Sequence, residues 1–266
     1  MKRHVLLTPR WLAGHLLALG LVVLFVNLGF WQLRRLEQRR EHVAQVVERS
    51  RQAPVPLDEA VAAGGELPEH RTVTAVGELD PSEEVLLRGR SLNGQPGYDV
   101  LTPLVITSGE LAGSAVLVER GWVPYAHDRV PVTAAPPPQG EVTVTGRLRA
   151  PTRRASGAFG PRDPEAGELV QTYYVDVERL QGQMPYPLVA AYIELADVTP
   201  PHPADLPLAL PAPELDEGPH LGYAVQWFSF AAIGVVGYFF LMRHVLRGER
   251  QARDAGPAPA PEPRRP

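Results

Sequence analysis

The sequence predicts a membrane protein in which two transmembrane α-helices flank one extracytoplasmic β-rich domain, an antiparallel barrel or sandwich. Three observations predict it. An apolar run long enough to cross a bilayer lies near each end, the residues between alternate apolar with polar side chains, and Gly and Pro punctuate the alternating runs.

The first apolar run, Trp11 to Leu33, is WLAGHLLALGLVVLFVNLGFWQL, bounded by Arg10 and by Arg34 and Arg35. It matches the roughly 30 Å of a hydrocarbon core. A secretory signal has a shorter apolar stretch followed by small residues, whereas this run ends in WQLRR and reads as an uncleaved anchor. Residues 1–10 precede it. The second run, Leu221 to Met242, is LGYAVQWFSFAAIGVVGYFFLM, with Tyr223, Trp227 and Tyr238 at positions that suit an interfacial aromatic belt. No Lys or Arg lies between Pro200 and His220, while Arg243, Arg247, Arg250 and Arg253 follow the second run. That asymmetry places the C-terminus in the cytoplasm, hence residues 1–10 there too and the middle outside. Arg34, Arg35, Arg39 and Arg40 then face the outer surface and require a local reason.

Past Arg35 the polar sequence EQRREHVAQVVERS predicts a helical stalk within residues 34–65, ended by Pro54 and Pro56. The β-rich domain is expected over 66–199. In it Val73, Ala75 and Leu79 oppose Thr72, Thr74 and Glu78, and Val142, Val144 and Leu148 oppose Glu141, Thr143, Thr145, Arg147 and Arg149. Further strands are expected at 84–87, 98–106, 115–123, 172–177 and 189–195. TVTAVGEL resembles EVTVTGRL, a hint of a repeated strand unit. Residues 200–220, rich in Pro, read as a stiff extended linker, and 243–266 as a disordered cytoplasmic tail.

Composition removes several function classes. A net charge of −4 without an internal basic block gives no footprint for nucleic acid. The absence of Cys excludes disulfides, zinc fingers, iron–sulfur clusters and thiolate copper sites, and three Met are too few for a methionine copper relay. No phosphate-binding loop, dinucleotide fingerprint, zinc-protease or nucleophile-elbow pattern occurs, so no catalytic residue is assigned and an enzyme is not expected. Asp80, Glu83 and Glu84 read as a solvated turn.

The remaining candidates lie at the membrane. His220, Tyr223 and Trp227, spaced by three and four, share one face at the outer mouth of the second helix. A neutral imidazole there is suited to haem iron, with Tyr and Trp packing on the macrocycle; an interfacial anchor is the alternative. Trp31, Gln32 and Arg35 form a second patch at the same depth, suited to a carboxylate or propionate, or else a snorkelling Arg beside a belt Trp. If the helices touch, the two patches form one site. His15 lies seventeen residues from Gln32, on the order of 25 Å along the helix, so one haem cannot bridge it to His220. Arg120, Gly121 and Trp122 follow an apolar strand, where a Gly between two large side chains permits a bulge; a buried Trp with a snorkelling Arg is the alternative.

In order along the chain, LGFWQLRR, VTAVGEL, GQPGYDVLTPL (Gly94 to Leu104), VLVERGWVP (Val116 to Pro124), VTVTGRL and HLGYAVQWF resemble the surfeit locus protein one family, assembly factors for haem–copper cytochrome c oxidase. The resemblance runs from Leu28 to Phe230. It implies a factor that matures the oxidase catalytic subunit, alongside the haem a synthesis machinery, with haem a held transiently. The family's His, Tyr and Trp match His220, Tyr223 and Trp227, its Trp, Gln and Arg match Trp31, Gln32 and Arg35, and its RGW motif matches Arg120, Gly121 and Trp122. Family members commonly place Asn before the His, where this chain has Pro219. The alternative function is a membrane-tethered scaffold that stabilises an oxidase subunit without cofactor. The first apolar run begins too early for an organelle transit peptide ahead of it, so a bacterial plasma membrane is expected, with lipid as a partner.

Overall fold

The computed structural model describes residue 6 and residues 8–62, 67–155, 159–212 and 215–254. The chain forms two compact units, one of residues up to Val43 together with Leu215 onward, the other Ala44–Glu214.

The first unit is helical. Helix α1 runs Pro9–Arg51, and α4 runs His220–Asp254. Each contains an 18-residue stretch apolar enough to cross a membrane, and only 11% and 6% of those stretches are buried within the protein. The core helix of a soluble domain would be mostly buried; these expose Leu16, Leu17, Leu19, Ile233 and Phe240. Gly29 lets the helices approach, since a Cβ there would stand 2.7 Å from the Phe228 ring. The disorder expected from 243 is corrected as far as Asp254, because α4 continues without a break through RHVLRGERQARD; residues 255–266 lie outside the described part.

The second unit is a mixed sheet. After β1 (Val55–Pro56) and α2 (Leu57–Ala62) come β2 (Thr72–Leu79), β3 (Val85–Leu92), β4 (Gln95–Ile106), β5 (Ala115–Pro124), β6 (Glu141–Arg149), β7 (Gln171–Thr172), α3 (Val177–Gln181) and β8 (Leu188–Thr199). The order is β1-β2-β6-β8-β5-β4-β3-β7, and a second pairing of β2 with β4 closes the five strands β2, β6, β8, β5 and β4 into a barrel. Closure requires close backbone approach at Gly77, where a Cβ would stand 2.2 Å from the Val105 carbonyl oxygen. Val73, Ala75, Leu79, Val116, Val118, Val142, Val144 and Ile193 share one core. The two similar octapeptides are partners, with Val73 opposite Gly146 and Ala75 opposite Val144.

Three expectations change. The barrel is not wholly antiparallel, because β5 and β8 run parallel. The strand expected at 172–177 stops at Thr172, and Asp176 instead caps α3 by accepting from the Arg179 backbone N–H at 3.2 Å. The Pro-rich segment does not span freely: Leu208 exchanges two 2.8 Å backbone hydrogen bonds with Trp122. In addition Leu57 and Ala60 of α2 are buried in the barrel core. A fragment cut at 66–199 therefore lacks core and sheet partners that 44–214 retains. By analogy with deleting one buried Leu, the shorter fragment should be less stable by about 2 to 5 kcal/mol or more. Thermal melts of both by circular dichroism check this; equal midpoints would mean that α2 and the docked segment contribute nothing.

Candidate functional site

In the helical unit, α1 and α4 bring Gln32 and His220 together. The Gln32 Oε1 lies 2.9 Å from His220 Nδ1. A carbonyl oxygen only accepts, so Nδ1 carries a proton, and in the neutral ring the lone pair is then on Nε2. Gln32 is buried and His220 half-buried. Helix α4 starts at His220 with Pro219 just ahead; the Pro219 carbonyl accepts from the Tyr223 N–H at 3.2 Å, so Pro in place of Asn is compatible with the first turn. Trp227 stacks on Phe25 with ring centroids 5.7 Å apart and meets Phe230 edge-on. Trp31 and Tyr223 are exposed, and Arg35, also exposed, donates to Gln38 Oε1 at 3.3 Å. Of the six candidate residues, His220 and Gln32 thus touch directly, Trp227 anchors the helix pair, and Trp31, Tyr223 and Arg35 stay open.

The basic run after the first apolar stretch has its local reason here. Arg39 Nε donates to the Asp216 carbonyl at 3.0 Å, and Arg40 pairs with Glu217 at 2.8 Å. These exposed contacts tether the approach to α4 and add little stability. At the other end of the unit, His15 Nε2–H donates to the Leu6 carbonyl at 3.0 Å, which leaves Nδ1 to accept from the Tyr238 hydroxyl. Both His15 nitrogens are therefore engaged, unlike those of His220.

In the barrel unit, β4 and β5 shift register between Val100 opposite Gly121 and Leu101 opposite Glu119, so Arg120 is the extra residue of a bulge. Gly121 has φ 144°, and a Cβ on it would stand 2.4 Å from the Leu208 carbonyl oxygen. The bulge does re-aim its neighbours, but the snorkelling Arg is corrected: Arg120 is 2% exposed. Its guanidinium reaches Glu84 Oε1 at 2.5 Å, Thr102 Oγ1 at 2.7 Å and the Ala135 carbonyl at 2.9 Å. Glu84, expected in a solvated turn, is 3% exposed, and its other oxygen accepts from the Val132 N–H at 2.8 Å. Asp80 remains in the turn, accepting from the Ser82 N–H. Burial holds the Arg120 guanidinium below its ordinary range against the opposing pull of Glu84. It also pushes the half-buried His202 down to about 4, with Arg120 contributing.

Two residues that the sequence did not single out form a second polar centre. Asp99 and Glu119 are 4% and 5% exposed and share one basic partner, Arg90, at 3.0 and 3.7 Å. Burial first, then the charge of Asp99, pushes Glu119 up to about 8, and burial raises Asp99 as well. Their signal in the sequence is a charge inside an otherwise apolar run, GYDVL and VLVER. At neutral pH the folded protein holds a proton on Glu119 that the unfolded chain releases above the ordinary glutamate range, near 4.3. Stability should therefore fall as pH rises from about 5 to 8 and level off above. Urea denaturation of wild type and Glu119→Gln across that range checks it: the variant's curve should be flatter, and an equal slope would place the proton elsewhere.

Among the described residues no three His, Asp or Glu side chains converge as a metal would require. The profile of the SURF1 family matches residues 19–232. The chain is 30% identical over 260 residues to an uncharacterised SURF1-like protein of Mycobacterium bovis and to one of Mycobacterium tuberculosis, covering 96% of this chain and 91% of each relative. It is 29% identical over 188 residues to the cytochrome oxidase assembly protein SHY1 of Saccharomyces cerevisiae, covering 67% of this chain and 48% of that protein. With a match over most of its length, including both candidate centres, the chain belongs to the SURF1 family.

Proposed function

We propose that this protein is a membrane-anchored assembly factor for cytochrome oxidase that holds haem a through His220 and presents it to the maturing catalytic subunit. Family membership and the printed role of the yeast relative support the assembly role. The single observation that carries the haem reading is the His220–Gln32 bond, which fixes the tautomer with a free Nε2 lone pair on a half-buried imidazole. Metal-ligating histidines characteristically donate their other ring N–H in this way. Gln32 orients the ring, the exposed faces of Trp31 and Tyr223 are available to the macrocycle, and the exposed Arg35 guanidinium, whose partner among the described residues is Gln38, is available to a propionate. Haem a is cargo here, so the residues bind and release and carry out no catalysis.

The unburied apolar faces of α1 and α4 support membrane anchoring, and the missing Lys and Arg before α4 support a barrel held outside the cytoplasm of a bacterial cell. Purified from haem-a-producing cells, the full chain should carry a haem a absorbance band. A reporter active only in the cytoplasm should work after Arg247 and fail near Gly109. Absence of haem under replete conditions would move the function to a scaffold that clamps an oxidase subunit without cofactor; reporter activity at Gly109 would overturn the orientation.

A further inference from the structure

A cavity of about 280 Å³ opens on the outer face of the barrel beside the Asp99–Glu119 pair, with Arg90, Trp122, Tyr192 and Pro211 in its wall. Glu194, its other acidic residue, is paired with Arg147 and Arg149, whereas among the described residues Asp99 and Glu119 have Arg90 alone. Two carboxyls against one guanidinium leave one charge to be met by a retained proton. Three buried atoms of its lining residues lack a hydrogen-bond partner among the described residues, one of them the Nε–H of Arg149. The other two are Asp99 Oδ1 and the indole N–H of Trp122, a residue 5% exposed, which lack a donor and an acceptor respectively among the described residues.

We propose that this cavity receives an arginine side chain of a partner polypeptide, its guanidinium on Asp99 and Glu119 and a main-chain carbonyl of the same segment on the Trp122 indole N–H. Arg90 already shows that a guanidinium is accepted at the carboxyl pair. Its side chain is 42% exposed and follows Gly89, at φ 74°, in the irregular part of β3. Trp122 and Tyr192 supply aromatic wall for a second planar cation. A bare cation would satisfy the acid pair and leave the indole N–H unmet; an arginine within a peptide satisfies both. The entering cation displaces one proton to solvent, so the net charge of the pocket is unchanged. The other titratable groups facing the pair are Arg90 of β3, Tyr192 and Glu194 of β8 and Arg149 of β6. Tyr192, raised to about 12 mainly by burial, does not change charge between pH 6 and 8, and Glu194 is paired with Arg147 and Arg149.

The test is calorimetric titration of the full chain in detergent with N-acetyl-arginine methylamide, with methylguanidinium, and with N-acetyl-glutamine methylamide as the uncharged control. The arginine diamide should bind saturably, release up to one proton per site at pH 7, and tighten by roughly tenfold per pH unit below pH 8 before levelling off. Methylguanidinium should bind at least about tenfold more weakly, and Trp122→Phe should bring the two within about threefold. Asp99→Asn should weaken the diamide at least about tenfold, and Glu119→Gln, which keeps the neutral shape and the fold, should remove the pH dependence. No saturable binding, equal binding of the glutamine control, or full affinity in Asp99→Asn overturns the site. Methylguanidinium binding as tightly as the diamide overturns a polypeptide as the source of the cation.

Discussion

Replacing Glu84 by alanine should destabilise the barrel by about 3 to 5 kcal/mol, a large share of the roughly 5 to 15 kcal/mol by which a domain is stable. Glu84 and Arg120 are paired at 2.5 Å with side chains 1% and 0% exposed, so the variant leaves a guanidinium buried without its counter-charge. The Val132 N–H and the Thr102 hydroxyl lose their acceptor at the same time. Chemical denaturation of the full chain, followed by the barrel's circular dichroism, gives the loss. The double change Glu84→Leu with Arg120→Met should recover much of it, because an apolar pair of similar volume does not have to solvate a charge. A loss under 1 kcal/mol for Glu84→Ala would mean that water reaches the guanidinium and the pair is not buried in solution.

If His220 ligates haem a, His220→Ala should remove nearly all bound haem, while His15→Ala should leave it unchanged because both His15 nitrogens are already engaged. Gln32→Ala separates ligation from packing: without its acceptor the imidazole loses tautomer and orientation, and haem affinity should fall by about 10- to 100-fold. Arg35→Ala should have a smaller effect, about 1 to 3 kcal/mol of a charged hydrogen bond at an exposed position. Haem absorbance per protein, measured at equal and folded protein levels, ranks the four variants. Full haem with an unaltered spectrum in His220→Ala would sink the ligand assignment.

The sequence by itself determined what depends on local periodicity. The apolar stretches within Pro9–Arg51 and His220–Asp254 and the inward Val73, Ala75, Val142 and Val144 all follow from side chains within a few positions of one another. Spacing also placed His220 and Gln32 at one depth, though not in contact. Tertiary structure alone decided which charges are buried and with what. Glu84 sits beside solvated-looking Asp80 and Glu83 in the chain, yet it meets Arg120 because β3 and β5 both pair with β4. Asp99 and Glu119 become neighbours because β4 pairs directly with β5, and the parallel β5–β8 pairing sets Glu194 opposite Glu119. Cross-strand neighbours are fixed by register and strand order, which are long-range choices made by the whole barrel's burial. A burial change of that kind turns a carboxylate that reads as solvated into the counter-charge of a buried arginine.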